Sequence, residues 1–156
     1  MAQTMLIRAA VTADDFKQAR SLFRTYESWA EGCPCFEGFE RELDEIADRY
    51  SLPQGQLWLA FDDKGVAIAV VGVSVVDSQT CELKRLWVEP KGRGQSIGEA
   101  LLLEVIEFAG NCGSIFLTLE TVPGSMDNAI ALYQRIGFMP EKNLTKRNTL
   151  EMVYEL

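Results

Sequence analysis

The stretch Leu86-Trp-Val-Glu-Pro-Lys-Gly-Arg-Gly-Gln-Ser-Ile-Gly-Glu-Ala-Leu101 decides how this chain is read. A β-rich run from Cys81 ends at Val88, and Gly92, Gly94 and Gly98 follow. An amphipathic pattern then runs from Ile97 to Ala109 through Ala100, Leu101, Glu104, Val105 and Phe108. A strand that enters a glycine-rich turn and leaves as a helix aims backbone N–H groups and the positive end of the helix dipole at one spot. The ligand expected there is a phosphate. Lys84, Arg85, Lys91 and Arg93 against Glu89 give this region a charge of +3, in a chain of formal net charge −8. No Gly-Lys-Ser/Thr closes the loop and the spacing is not Gly-x-Gly-x-x-Gly, so neither a Walker loop nor a dinucleotide-binding turn is indicated.

Working outward, Leu6 to Val11 reads as a strand, and Thr12 with Asp15 is a capping box that starts a helix reaching about Ala30. Phe16, Ala19, Leu22, Phe23 and Tyr26 form its apolar stripe. Gly32 and Pro34 break it, and Phe39, Leu43, Ile46 and Ala47 predict a second helix from about Phe36 to Tyr50. Strands are expected over Gln56 to Phe61 and Val66 to Val76, joined by the turn Asp62-Asp63-Lys64-Gly65. Beyond the glycine loop come a strand at Ser114 to Thr121, a helix at Asp127 to Ile136, and a strand pair from Phe138 to Leu156. The order βααβββαβαββ predicts an α/β (α+β) fold, a mixed and partly antiparallel sheet of about seven strands with four helices.

The chain has 156 residues, 47% of them hydrophobic, and no histidine. That length fits one domain over 1–156 with a sizeable core. The acidic balance argues against a nucleic-acid partner. Without histidine there is no Ser-His or Cys-His pair and no His-ligated zinc, so no metal is expected. The N-terminus lacks a signal-peptide pattern and no apolar run is long enough for a membrane helix, which points to a cytoplasmic protein. Cys33, Cys35, Cys81 and Cys112 then read as reduced thiols, with Cys33-Pro-Cys35 as small apolar loop residues.

The loop resembles that of the GNAT superfamily of N-acetyltransferases. Arg93-Gly-Gln-Ser-Ile-Gly98 follows the family's pyrophosphate loop, with Ser96 where the middle glycine is usual, and Ala129-Ile-Ala-Leu-Tyr-Gln-Arg-Ile-Gly-Phe138 follows its second signature. The element order matches as well. The resemblance implies acetyl-CoA as co-substrate in a V-shaped opening between the strand ending at Val88 and the strand of 114–121. It implies pantetheine bonding along Leu86, Trp87 and Val88, and diphosphate bonding to the N–H groups of Arg93, Gly94, Gln95, Ser96, Ile97, Gly98 and Glu99. Met126 stands where many members carry a cofactor-touching asparagine; Ser125 or Asn128 could compensate. Tyr133 occupies the family's general-acid position beside the thioester sulfur.

For the base, alternation places Glu82 and Lys84 on the strand face of Leu86 and Val88, and Glu120 is the competitor, with a water chain as a third route. Residues 26–50 carry a local charge of −6 that would attract a cationic amine, and Trp29, Phe36 and Phe39 could line its pocket. The expected function is acetyl transfer to a primary amine by a monomer or homodimer. The alternative is a non-catalytic acyl-CoA-binding module of the same fold.

Overall fold

The computed structural model describes residues 6–141, 144–145 and 148–156. The strands are β1 (Leu6–Ala9), β2 (Gly55–Phe61), β3 (Ala67–Val75), β4 (Thr80–Val88), β5 (Phe116–Thr121), β6 (Met139–Pro140) and β7 (Leu150–Glu155). They form one seven-stranded sheet in the order β1-β2-β3-β4-β5-β7-β6. Among the described residues, only the β4–β5 pair is parallel. The helices are α1 (Ala13–Trp29), α2 (Phe39–Asp44), α3 (Ile46–Arg49), α4 (Ile97–Asn111) and α5 (Asp127–Ile136). The mixed, mostly antiparallel sheet of seven strands agrees with the sequence.

The hydrophobic pattern explains why both faces are covered. On β2, Leu57, Leu59 and Phe61 join one core with Phe16, Phe23, Phe39 and Ile46 of α1–α3. Trp58 and Ala60 join the other, with Leu101, Leu102 and Val105 of α4. Strands buried on both faces lose polar alternation, which is why β2 and β3 read as continuous apolar runs. At the start of α1, the Asp15 N–H donates to Thr12 Oγ1 at 3.1 Å, and Asp15 Oδ2 accepts from the Thr12 N–H at 3.0 Å. Arg8 adds two charged hydrogen bonds of 2.8 and 2.9 Å to the same carboxylate.

Two expectations are corrected. The helix expected over 36–50 is a 3-10 turn at Pro34–Phe36 followed by α2 and α3, so the described residues form five α-helices rather than four. The breaks fall at Gly38, which takes φ 75°, and at Glu45, whose N–H is shared between Arg41 O and Leu43 O. Cys33 and Cys35 are joined as a disulfide rather than being reduced thiols, while Cys81 and Cys112 are free. Cys33 caps the 3-10 turn, whose curl leaves the two Cα atoms only 5.3 Å apart.

Candidate active site

The parallel β4–β5 ladder pairs Thr80, Cys81 and Glu82 with Phe116, Leu117 and Thr118, and then stops. β4 continues to Val88 and β5 to Thr121, so the two strands part. A cleft of about 610 Å³ lies at this opening. Its walls include Leu86, Trp87 and Val88 of β4, the loop from Gly92 to Glu99, and Asn128, Ala129 and Leu132 of α5. The Glu89 N–H donates to Ile68 O across the β3 edge. Strand alternation therefore turns the backbone groups of Leu86 and Val88 toward the opening.

The loop is built to leave donors exposed. Ser96 is the N-cap of α4 but its side chain makes no capping bond, so the first-turn N–H groups from Ile97 to Glu99 have no cap. Ser96 takes φ 61°, a left-handed conformation that favours glycine, and Gly94 takes φ 80°. At Gly98 an added Cβ would lie 3.3 Å from Leu132 Cδ2, so the glycine also sets how closely α4 meets α5. Arg93 bends back: its Nε donates to Val88 O at 3.1 Å and its guanidinium sits 5.1 Å over the Trp87 ring. Ser125 and Gln95 divide: Ser125 lies in the cleft wall, whereas the Gln95 side chain donates to Lys91 O.

A smaller cavity adjoins the cleft, sharing Tyr26, Leu86 and Met126 as a common wall. It brings Tyr133, Glu82 and Glu120 together. Tyr133 projects from the buried face of α5 and is 6% exposed. Burial, with a smaller contribution from Tyr26, pushes its hydroxyl well above the usual tyrosine range, so it remains protonated. Glu82 lies 3.7 Å from Lys84 Nζ.

One sequence expectation about this strand is corrected. Val70 pairs with Trp87 but Gly72 pairs with Lys84, so β4 carries one extra residue, a bulge at which Arg85 takes φ 57°. The bulge inverts the alternation. Leu86 and Val88 pack with Cys81 and Leu83 against the α4 core, while Trp87 joins the α1–α3 core. Glu82 and Lys84 consequently face the α1–α3 side, opposite Leu86 and Val88. Thr118 and Glu120 share that side, since Leu117 and Leu119 face α4. Beside Glu120 in the register stands Glu151. Burial first, then the neighbouring Glu141, Glu82 and Glu120, raise the Glu151 carboxyl above its usual value.

In the acidic segment of residues 26–50, Glu27, Glu40, Glu42 and Glu45 are held in ion pairs. Arg85 Nε and Nη2 donate to Glu42 at 3.0 and 2.8 Å, Arg24 binds Glu40 and Glu27, and Arg41 and Arg49 bind Glu45. Phe36 and Phe39 do not line either cavity wall but stack on the Arg85 guanidinium at 4.1 and 5.1 Å. Trp29, half exposed, does line the cleft.

Other contacts in the walls carry no local sequence signal. Tyr26 stacks on Trp87 at 5.2 Å, and its hydroxyl and that of Thr121 both reach Met126 Sδ, at 3.7 and 3.6 Å. Met126 thus ties α1 to the start of α5. Arg135 reaches Glu99 at 3.9 Å across the cleft rim. These contacts span up to 100 residues of chain and could not be read from local spacing.

The chain belongs to the acetyltransferase (GNAT) family, whose model matches residues 17–138. It is 32% identical over 104 residues to an uncharacterized N-acetyltransferase of Schizosaccharomyces pombe, covering 66% of this chain and 63% of that one. The match thus spans less than two thirds of that relative's length. Among solved structures, an acetyltransferase from Streptococcus agalactiae aligns with TM-score 0.82 at 18% identity, covering 97% of this chain and 98% of that one. The PaiA N-acetyltransferase of Thermoplasma acidophilum, solved in complex with coenzyme A, aligns with TM-score 0.77 at 20% identity, covering 98% and 99%. Among the described residues, no helix is long and apolar enough to cross a membrane.

Proposed function

We propose that this chain is one acyltransferase domain that moves an acetyl group from acetyl-CoA to a primary amine, of a small molecule or a protein, within a ternary complex. The observation that carries this reading is the position of Tyr133. Its protonated, buried hydroxyl lines the cavity that adjoins the cleft where the β4–β5 ladder ends. Acetyl-CoA fits the cleft by the chemistry of its walls. The uncapped N–H groups of α4 suit the diphosphate, and the outward backbone groups of Leu86 and Val88 suit the amides of the pantetheine arm.

An amine with a reference pKa of about 10.4 arrives charged and must lose a proton before it attacks. Glu82 and Glu120 share the cavity and one sheet face, so either can accept that proton directly or through water. Tyr133 supplies a hydrogen-bond donor to the departing sulfur. A positioned donor of this kind contributes about 10²–10⁴-fold. The carboxylates at 82, 120 and 151 also favour a cationic acceptor.

A thiol-release assay with acetyl-CoA over a panel of amines, beside calorimetry with CoA alone, tests the proposal. Release with at least one amine is the expected result. CoA binding without release for any amine would leave a binding module, and no CoA binding would overturn both readings.

A further inference from the structure

The Cys33–Cys35 disulfide has no part in the chemistry above, yet Cys35 lines the same cavity as Tyr133 and Leu86. Cys33 does not line it. Both residues are half-buried, so solvent and small molecules reach them. The other two cysteines are placed differently: Cys81 is buried in the α4 core with its Sγ 3.2 Å from Ser114 Oγ, and Cys112 follows the far end of α4.

Two contacts make the pair asymmetric. Arg85 Nη1 donates to Cys35 O at 3.0 Å, which ties the Cys35 backbone to the cavity wall. The Cys35 backbone N–H donates to Cys33 Sγ at 3.3 Å. A hydrogen bond to a sulfur stabilises negative charge there, so Cys33 is the better leaving group, and of the two residues it is Cys35 that lines the cavity from which a thiolate would approach. Acetyl transfer would release a thiol in this same cavity.

We infer that Cys33–Cys35 is a thiol–disulfide exchange site for the pantetheine thiol of free CoA, forming a reversible CoA–Cys35 mixed disulfide. This rests on the acetyl-CoA reading given above. The CoA thiolate attacks Cys35 Sγ and a CoA–S–S–Cys35 bond forms. The Cys33–Cys35 bond breaks with its electron pair on Cys33 Sγ, which takes a proton from solvent. The proton lost by the CoA thiol balances the one gained, and no external oxidant is needed. Return attack by Cys33 expels CoA and restores the starting pair. While the adduct persists, the cavity is blocked and transfer stops.

The test incubates the full chain, purified without reductant, with reduced CoA or with glutathione at equal concentration. Iodoacetamide then caps the freed Cys33, and peptide mass mapping locates the adducts. The expected result is CoA on Cys35 with carboxamidomethyl on Cys33, formed at least tenfold faster than the glutathione adduct. Transfer activity should fall in proportion and return with dithiothreitol. Cys35→Ser should lose the adduct. Equal rates for the two thiols, or no adduct while calorimetry shows CoA bound, would overturn the inference and leave the acetyltransferase reading standing. Absence of CoA binding by calorimetry would overturn both.

Discussion

Arg85 grips Glu42 with two hydrogen bonds of 3.0 and 2.8 Å, so a bulge in the central sheet is locked to a helix 43 residues earlier in the chain. Both side chains are almost fully buried. The Tyr50 hydroxyl donates to the same carboxylate at 3.0 Å. Burial acts to raise the Glu42 carboxyl, but the Arg85 and Tyr50 hydrogen bonds outweigh it and hold it below the usual range.

Removing one member of such a pair leaves the other as an unpaired buried charge. Glu42→Ala is expected to cost about 3–5 kcal/mol in urea unfolding. Replacing both residues with apolar side chains should recover part of the loss. Full stability in Glu42→Ala would show that the pair does not hold the bulge.

Tyr133→Phe keeps the packing of α5 and deletes the donor. Turnover should fall at least tenfold, with CoA affinity by calorimetry nearly intact. Unchanged turnover would remove Tyr133 from the reaction.

Ser96 holds a left-handed conformation that costs an L-residue about 1–2 kcal/mol. Ser96→Gly should therefore unfold at a slightly higher temperature and bind CoA at least as well, because the N–H donor is retained. Ser96→Val, β-branched at the same φ, should weaken CoA binding measurably. Equal affinity in all three proteins would show that the loop's conformation does not govern binding.

The Asp15 carboxyl is held well below the usual carboxylate range, chiefly by Arg8 and also by the Val11 and Thr12 N–H groups. Its folded value is depressed, so its contribution is complete above its unfolded pKa of about 3.9 and is lost as pH falls toward the folded value. Asp15→Asn should cost about 2 kcal/mol at neutral pH. The gap between variant and parent should narrow as unfolding is followed below about pH 4. A gap independent of pH would refute the role of the charge.

Features set by neighbouring residues were legible in the sequence. Thr12 and Asp15 announce the start of α1, and the turn after Asp62 forms as expected, with its carboxylate accepting from the Lys64 and Val66 N–H groups. The strand–loop–helix of residues 86–101 is equally local. The Arg85 bulge was hidden because period-two counting assumes no extra residue, and its partner Glu42 lies far away in sequence. Met126 looked like a simple departure from the family pattern, and only the fold reveals that its sulfur meets two hydroxyls. The Cys33–Cys35 bond depends on a turn geometry that composition does not specify.

The single inserted residue at Arg85 also separates two kinds of change along β4. Upstream of it, at Glu82 and Lys84, substitutions alter the face turned toward α1–α3. Downstream, at Leu86 and Val88, they alter the face against α4 and the cleft. The two surfaces meet at Leu86, the β4 residue that lines both the cleft and the smaller cavity, so a substitution there reaches both.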